Sequence, residues 1–456
     1  MHALHRKLMV GVARAIGPWF AVPFLLVACS SPSGDPPSEN PEALTYYRSV
    51  KPIVDAYCAG CHAEGKIAPF SLTTPDDVLA HKEEMVASTG ARAMPPWPPA
   101  SGCTEYSGDR SLSDAQIATL KGWVERGAPM GNPADFVPLP MRPSGLSRVD
   151  REVSLPAPYT PVLRPDEYRC FLLDWPDTTE KFITGFTVVP GNPAIVHHLL
   201  AFAVPPAQVS VYQGYDDAEP GPGYTCFGGP RPAGSQSTDL PNQLGGWAPG
   251  ALGGDFPAST GISVAPGSKL VVQMHYNTLN TAPAPDQTTI RLKLDDAVEK
   301  RAYTFPFTNP TWVTQRTMNI PAGAPDTAYS FAYSAGAAVA ARSGGAIPSD
   351  QPFTIYSATL HMHTHGTTAN FALQRPSGAS ECLLDIPNWD FHWQGSYRFA
   401  APKTVDPGDQ LRIECHWDNS ASKQPVIDGQ VSEPHDLNWG EGTTDEMCLG
   451  FLYATQ

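Results

Sequence analysis

Apolar and polar positions alternate in two different ways along this chain. From residue 42 to about 135 the spacing is helical. Val50, Ile53, Val54 and Tyr57 recur on one helical face. Ser113-Asp114-Ala115-Gln116 has the form of a capping box. It opens a helix with Ile117, Leu120, Trp123 and Val124 on one face and Gly127 at the stop. From about residue 159 the pattern changes to short β-branched and aromatic runs. These are Phe182–Val189, Ile195–Phe202, Lys269–Tyr276, Thr289–Leu294, Thr354–Met362, Gln410–Trp417 and Met447–Tyr453, parted by Pro- and Gly-rich turns. Many short strands with this punctuation predict antiparallel sandwiches, and their combined length suits two of them. The expected domains are residues 159–297 and 298–456. Between the two regimes, Pro138, Pro140, Pro143, Pro156 and Pro158 make residues 136–158 a semi-rigid linker with no predicted element.

Composition agrees with a loop-rich β protein. The 456 residues include 49 proline and 39 glycine, and only 16% are charged. The net charge of −15 repels phosphate backbones and argues against a nucleic-acid partner. Arg6 and Lys7 precede an apolar run from Ala15 to Ala28, the form of a secretory signal over residues 1–28. Leu26-Val27-Ala28-Cys29 resembles the bacterial lipobox, which implies lipidation of Cys29; an ordinary cleaved signal is the alternative. Residues 29–41 read as a flexible tether. The expected location is extracytoplasmic, lipid-anchored to a bacterial membrane (periplasm or outer membrane), where disulfides persist.

Cys58-Ala59-Gly60-Cys61-His62 is the haem c attachment pattern: two thiols join the haem and the adjacent histidine takes the iron axially. A zinc half-site would need a second cysteine pair nearby, and none is there. With its flanking helices, the stretch 42–135 resembles a small α-helical class I cytochrome c domain. Met94, in a Pro-stiffened loop, is the chosen second axial ligand, with Met85, His81 and Met130 as alternatives.

Histidines mark the β-rich part. On a strand, His361, His363 and His365 would share one face, and a metal can bridge one adjacent pair but not all three. His197 and His198 would point to opposite faces unless their strand twists or bulges. His275 stands near a strand end, and Met447 lies in Glu446-Met447-Cys448.

Taken in order, His-His, then His, then His-x-His-x-x-Gly, then Glu-Met-Cys resembles the copper type II, ascorbate-dependent monooxygenases of the peptidylglycine α-hydroxylating and dopamine β-hydroxylating kind. The resemblance covers residues 160–456. Pro387–Gln394 and Asp418–Ser420 are similar to bacterial relatives with a fused cytochrome c. The resemblance implies that His197, His198 and His275 hold one copper. It implies that His361, His363 and Met447 hold the other, where O2 is activated. Gly366 sets that register and leaves His365 outside the ligand set. Imidazole and thioether donors suit Cu(I), whereas a thioether argues against a zinc hydrolase. The fold implied is two jelly-roll-like sandwiches with a solvent-filled cleft between the coppers. Family position further implies disulfides Cys170–Cys226 and Cys415–Cys448. Cys103 and Cys382 are left over; pairing them by exclusion would tie the haem domain to the copper module.

The expected function is hydroxylation of a substrate C–H bond with O2. Two coppers and one covalently bound haem c are the cofactors, and ascorbate or a redox protein is the electron source. The alternative is a non-catalytic copper- and haem-binding electron-transfer lipoprotein of the surface; a lectin-like sandwich leaves the ordered ligands unexplained. In the amidating members an Arg, an Asn and a Tyr grip a peptide carboxylate. The aligned positions here are Thr359, Leu449 and Phe451, so a less charged organic substrate is expected.

Overall fold

The computed structural model describes residues 44–456, apart from 65, 67, 141–144, 233–240, 250, 252, 280, 392 and 428–429. The signal, the tether, Cys29, Pro143 and His392 lie outside the described residues.

A π-helical turn, Tyr46–Val50, runs into α1 (Lys51–Tyr57), followed by α2 (Pro75–Ala80), α3 (Lys82–Gly90) and α4 (Asp114–Glu125). Both arms of the predicted capping box start α4: Gln116 N–H donates to Ser113 Oγ at 3.2 Å and Ser113 N–H to Gln116 Oε1 at 2.9 Å. Gly127 ends it in the left-handed region, at φ 80°. Val50, Ile53 and Val54 pack with Leu72, Val78, Met85, Leu120 and Trp123 in a core of their own. The helical periodicity of the sequence is therefore the buried face of this cluster.

The β-rich part begins with β1 (Arg151–Ser154), β2 (Asp166–Asp174), β3 (Lys181–Val189), β4 (Val196–Val204), β5 (Tyr224–Thr225) and β6 (Asn242–Trp247). Next come β7 (Gly254–Asp255), β8 (Thr260–Val264), β9 (Lys269–Asn277), β10 (Thr289–Asp295) and β11 (Lys300–Phe307). The second half holds β12 (Asn319–Ile320), β13 (Thr327–Ser334), β14 (Phe353–His361), β15 (Gly366–Gln374), β16 (Ser380–Ile386), β17 (Ser396–Val405) and β18 (Gln410–Trp417). The short β19 (Val426–Ile427), β20 (Gln430–Val431) and β21 (Leu437–Asn438) precede β22 (Leu449–Thr455). No helix among the described residues is long and apolar enough to cross a membrane.

In the first half a sheet ordered β5-β2-β9-β4-β6 packs against the β1-β10-β3-β8 end of a larger sheet. In the second half the sheet β13-β18-β15-β16 packs against the β11-β22-β14-β17 end of that same sheet. The two sandwiches share one continuous sheet, joined where β8 and β11 pair in parallel at Thr260↔Lys300 and Gly261↔Arg301. Ala302 and Tyr453 belong to the core of the first half although they come from the second.

Two features depart from the expectations. The stretch 136–158 contains β1, which pairs antiparallel with β10 from Arg151↔Leu292 to Ser154↔Thr289. Its side chains alternate between half-buried and exposed, so this edge strand carries too little apolar signal to stand out in a Pro-rich segment. Residues between α3 and α4 are also drawn away from the helices. Ala100 N–H donates to Asp385 O and Ser107 N–H to Arg398 O, each at 2.8 Å, and Ala400 N–H to Glu105 O at 2.8 Å. Cys103 is disulfide-bonded to Cys382, and Trp97 and Tyr106 pack into the second sandwich's core.

Candidate metal centres

The strand pairing of β4 with β9 slips by one residue between Val196 and His198, so that Val196 faces Tyr276 and His198 faces His275. His197 is the extra residue of a β-bulge. The bulge turns two adjacent histidines toward one point, the condition the alternating geometry of a flat strand had set. His197, His198 and His275 thus present ligating nitrogens all within 4.8 Å of one another. Nδ1 of His198 lies 3.1 Å from Nδ1 of His197 and 3.2 Å from Nδ1 of His275.

One proton position is fixed by a carboxylate. His275 Nε2–H donates to Asp166 Oδ1 at 2.8 Å, so Nδ1 of this neutral ring is a bare lone pair directed at the other two histidines. Burial lowers His275, His197 and His198 below the ordinary imidazole range, His197 and His198 well below it. Burial alone would raise Asp166, but hydrogen bonds from His275 and Thr443 hold its carboxyl well below the usual range. With His275 neutral, the contact is an oriented hydrogen bond rather than an ion pair. Lone pairs held this close repel unless a cation sits among them. Metal–nitrogen bonds of about 2 Å would space the donors by roughly 3.3–3.5 Å, close to what is seen.

The second group forms where β14 ends. His361 is its last residue, and His363 follows in a turn with the ring centroids 5.0 Å apart. Alternation along a strand therefore governs only the first of the three histidines. His361 Nδ1–H donates to Gln394 Oε1, and Gln394 Nε2 donates to Phe391 O at 2.9 Å, which settles the orientation of the amide. His363 Nδ1–H donates to Asp445 O at 3.0 Å. Both rings are left with a free Nε2. Burial pushes His361 down to about 3, with neighbouring His363 adding to the effect and Gln394 opposing it.

Glu446 organises the segment that carries Met447. Its fully buried carboxylate accepts backbone N–H bonds from His363 (2.9 Å), His365 (2.7 Å) and Met447 (3.3 Å), and the Trp417 indole N–H at 2.8 Å. Met447 is buried, and the adjacent Cys448 is tied to Cys415 on β18. His365 points elsewhere: its Nδ1 is 3.3 Å from Thr364 Oγ1 and 3.6 Å from Glu446 Oε1. Gly366 opens β15 where a Cβ would meet Met362 Cε at 2.7 Å and Trp389 Cδ1 at 2.8 Å.

The two groups lie close together, where the resemblance implies a solvent-filled cleft between them. The rings of His198 and His361 are 6.1 Å apart, and Phe391 stacks on His197 at 4.5 Å while lying 6.0 Å from His363. The shared sheet and Phe391 bring the halves together. Opposite His361 across the β14–β22 pairing is Leu449, and opposite Thr359 is Phe451. Thr359, Leu449 and Phe451 therefore line one face beside His361.

In the helical cluster, Cys58 and Cys61 are half-buried and not disulfide-bonded. His62 is buried and its Nδ1–H donates to Phe70 O at 3.1 Å, leaving Nε2 free. Phe70 lies between His62 and His81, with ring centroids 4.7 and 3.9 Å away. Met94 is half-buried, Met85 is in the helical core and Met130 packs against it. The disulfides are Cys170–Cys226, Cys415–Cys448 and Cys103–Cys382.

Sequence reasoning missed Asp166, Gln394, Phe391, Thr443 and the role of Glu446. Glu446, Phe391 and Gln394 stand within motifs quoted above. Asp166 and Thr443 carry no signal of their own, because each acquires its partner only through folding.

Residues 333–454 match the family model described as copper type II ascorbate-dependent monooxygenase, C-terminal domain. The putative DBH-like monooxygenase protein 2 of Homo sapiens is 26% identical over 302 residues, 63% of this chain and 52% of that protein. DBH-like monooxygenase protein 2 of Mus musculus is 26% identical over 294 residues, 63% of this chain and 42% of that protein. Tyramine beta-hydroxylase of Caenorhabditis briggsae is 22% identical over 349 residues, 69% of this chain and 50% of that protein. The chain spans about half the length of the curated relatives it matches. Among solved structures, the VP2 subviral particle of infectious bursal disease virus aligns over 68% of this chain and 72% of that one at 9% identity, with a TM-score of only 0.17. The family match and the curated relatives support the copper type II ascorbate-dependent monooxygenase family.

Proposed function

We propose that this protein is a copper-dependent monooxygenase that hydroxylates a C–H bond of an organic substrate with O2. The carrying observation is the pair of facing histidine groups: ligating nitrogens of His197, His198 and His275 converge within 4.8 Å, and His361 and His363, 5.0 Å apart, each donate Nδ1–H elsewhere and keep Nε2 free. His197, His198 and His275 would hold one copper, and His361, His363 and Met447 the other. Neutral imidazoles and one thioether fit copper in its reduced state, and bound copper supplies single electrons and O2 activation. The chain's own residues do the rest. Asp166, Gln394 and the Asp445 carbonyl fix which ring nitrogen is free. Phe391 sets an apolar ring against His197 and near His363. Thr359, Leu449 and Phe451 offer an uncharged surface beside His361, which favours an apolar or aromatic substrate over a carboxylate-bearing peptide.

Cys58, Cys61 and His62 fit a covalently bound haem c. Two unpaired thiols persist in a chain whose other described cysteines are all bonded, and the His62 tautomer frees Nε2 for iron. Met94 is the proposed second axial ligand, with His81, one ring beyond Phe70, as its rival. The haem would feed electrons to the coppers in place of ascorbate or beside it. Three disulfides suit an oxidising compartment, in keeping with export and lipid anchoring through Cys29.

The test is metal and haem analysis together with O2 uptake against a panel of aromatic amines and apolar compounds. Two coppers, one haem and substrate-dependent O2 uptake with hydroxylated product are expected. Both metals bound with no product from any donor would instead favour a copper and haem electron-transfer protein.

A further inference from the structure

One segment, Gly440–Met447, touches both donor groups: the Glu441 carbonyl accepts the hydroxyl of Tyr168, whose ring stacks on His275 at 4.1 Å, and Thr443 joins the two groups by hydrogen bonds. Thr443 is 5% exposed. Its backbone N–H donates to Asp166 Oδ2 at 3.1 Å and its hydroxyl to Asp166 Oδ1 at 2.7 Å. That same Oδ1 accepts His275 Nε2–H at 2.8 Å and the Asn277 amide at 2.9 Å. Thr443 is thus joined through one carboxylate to a histidine of the first group. On its other side the Thr443 carbonyl accepts the hydroxyl of Thr364, between His363 and His365, at 3.2 Å. Two residues on, the Asp445 carbonyl takes His363 Nδ1–H, and then Glu446 holds the His363 and His365 amides. The Asp445 carboxylate braces the turn by accepting Gly442 N–H at 3.0 Å.

We propose that Asp166 and Thr443 are positioning residues that couple the two donor groups through Gly440–Met447. Filling the three-histidine group would then order the histidine–methionine group, and the reverse. This rests on the copper reading above. The physical reason is the unbroken chain of bonds. A metal that holds the His275 ring holds Asp166, Asp166 accepts the N–H and the hydroxyl of Thr443, and Thr443 fixes the turn that carries Met447 and accepts the hydrogen bonds of His363. Shifting that turn breaks several buried hydrogen bonds at once, so the element has few intermediate positions. Coupling of this kind is reciprocal.

The test compares Thr443→Val, which removes the hydroxyl at nearly constant volume, with Thr443→Ser, which keeps it. Folding is checked first by near-UV circular dichroism; if Thr443→Val does not fold, Asp166→Asn makes the same comparison. In copper-free protein, amide hydrogen exchange of residues 440–447 and of His363 and His365 should be about tenfold faster in Thr443→Val and unchanged in Thr443→Ser. Titration with Cu(I) against a chromogenic chelator should show wild-type protein binding the second ion about tenfold more tightly than the first, and Thr443→Val binding the two independently. Unchanged exchange in Thr443→Val overturns the joint. Independent filling of wild-type protein overturns the coupling. Protein that takes up no Cu(I), yet shows the exchange difference, overturns the copper reading and the coupling with it, and leaves the joint standing.

Discussion

His365 and His361 have the same side chain and sit four positions apart, yet their surroundings oppose them. His361 ends a strand, donates Nδ1–H to Gln394 and keeps Nε2 free, with its ring 6.1 Å from that of His198. His365 is sealed in at 2% exposure, with its ring beside Glu446 and its Nε2 without a hydrogen-bond partner among the described residues. Replacing His361 or His363 by alanine should therefore remove one copper equivalent. His365→Ala should keep both coppers and lower stability by about 2 kcal/mol through the cavity it leaves. Copper analysis beside chemical denaturation distinguishes these outcomes, and equal copper loss in all three would refute the ligand assignment. The buried imidazoles also set a pH dependence. His361 stays neutral when folded down to about 3, while an unfolded imidazole takes up its proton near 6.5. The unfolded state then binds more protons between those values, so this stability is complete above about 6.5 and lost as pH falls toward 3. The midpoint of thermal unfolding of copper-free protein should drop steadily from pH 7 to pH 4, and a flat profile would contradict it.

At the scale of elements, two irregularities matter more than the regular strands. The bulge at His197 turns an ordinary pair of adjacent histidines into a convergent one. The connection between α3 and α4 leaves the helical core and lies along β16 and β17, stitched by Cys103–Cys382 and by Tyr106 O–H donating to Leu383 O at 2.9 Å. Trp97 stacks edge-on to Tyr397 at 5.3 Å, three residues beyond Met94. This strap fixes the proposed haem ligand loop against the sandwich that holds His361. Replacing Cys103 and Cys382 by serine should cost about 2–5 kcal/mol and expose the strap. Limited proteolysis should then cut between residues 97 and 107, while the Cys170–Cys226 region stays protected. Proteolysis unchanged from wild type would show that the polar and aromatic contacts hold the strap alone.

On the scale of the molecule, the continuous sheet makes the two sandwiches one frame. Thr260 on β8 and Tyr453 on β22 share a hydrogen bond of 2.8 Å across their junction. A frame of this kind resists hinge motion, so the facing histidine groups hold one separation. If electrons run from the helical cluster to these groups, O2-dependent reoxidation of reduced haem should slow at least tenfold in His197→Ala or Met447→Ala, because outer-shell and ligand losses of this kind cost about 10–100-fold. Stopped-flow absorbance would follow it, and reoxidation at the wild-type rate would break the relay.

Much of this was legible in the sequence because it depends on local periodicity. The capping box at Ser113, the strands beginning near Lys269 and Gln410, and the spacing of Cys58, Cys61 and His62 each need only neighbours along the chain. The order of the histidine motifs pointed to a chemistry only through its resemblance to a known family. Tertiary structure alone decided that His197 bulges, that β1 joins the sheet, and that the two sandwiches share it. It also decided that Asp166 and Thr443, 277 residues apart, meet over His275. These depend on pairing register and on contacts between distant segments, and neither residue type nor spacing records which partner a carboxylate or a hydroxyl will find once the chain has folded.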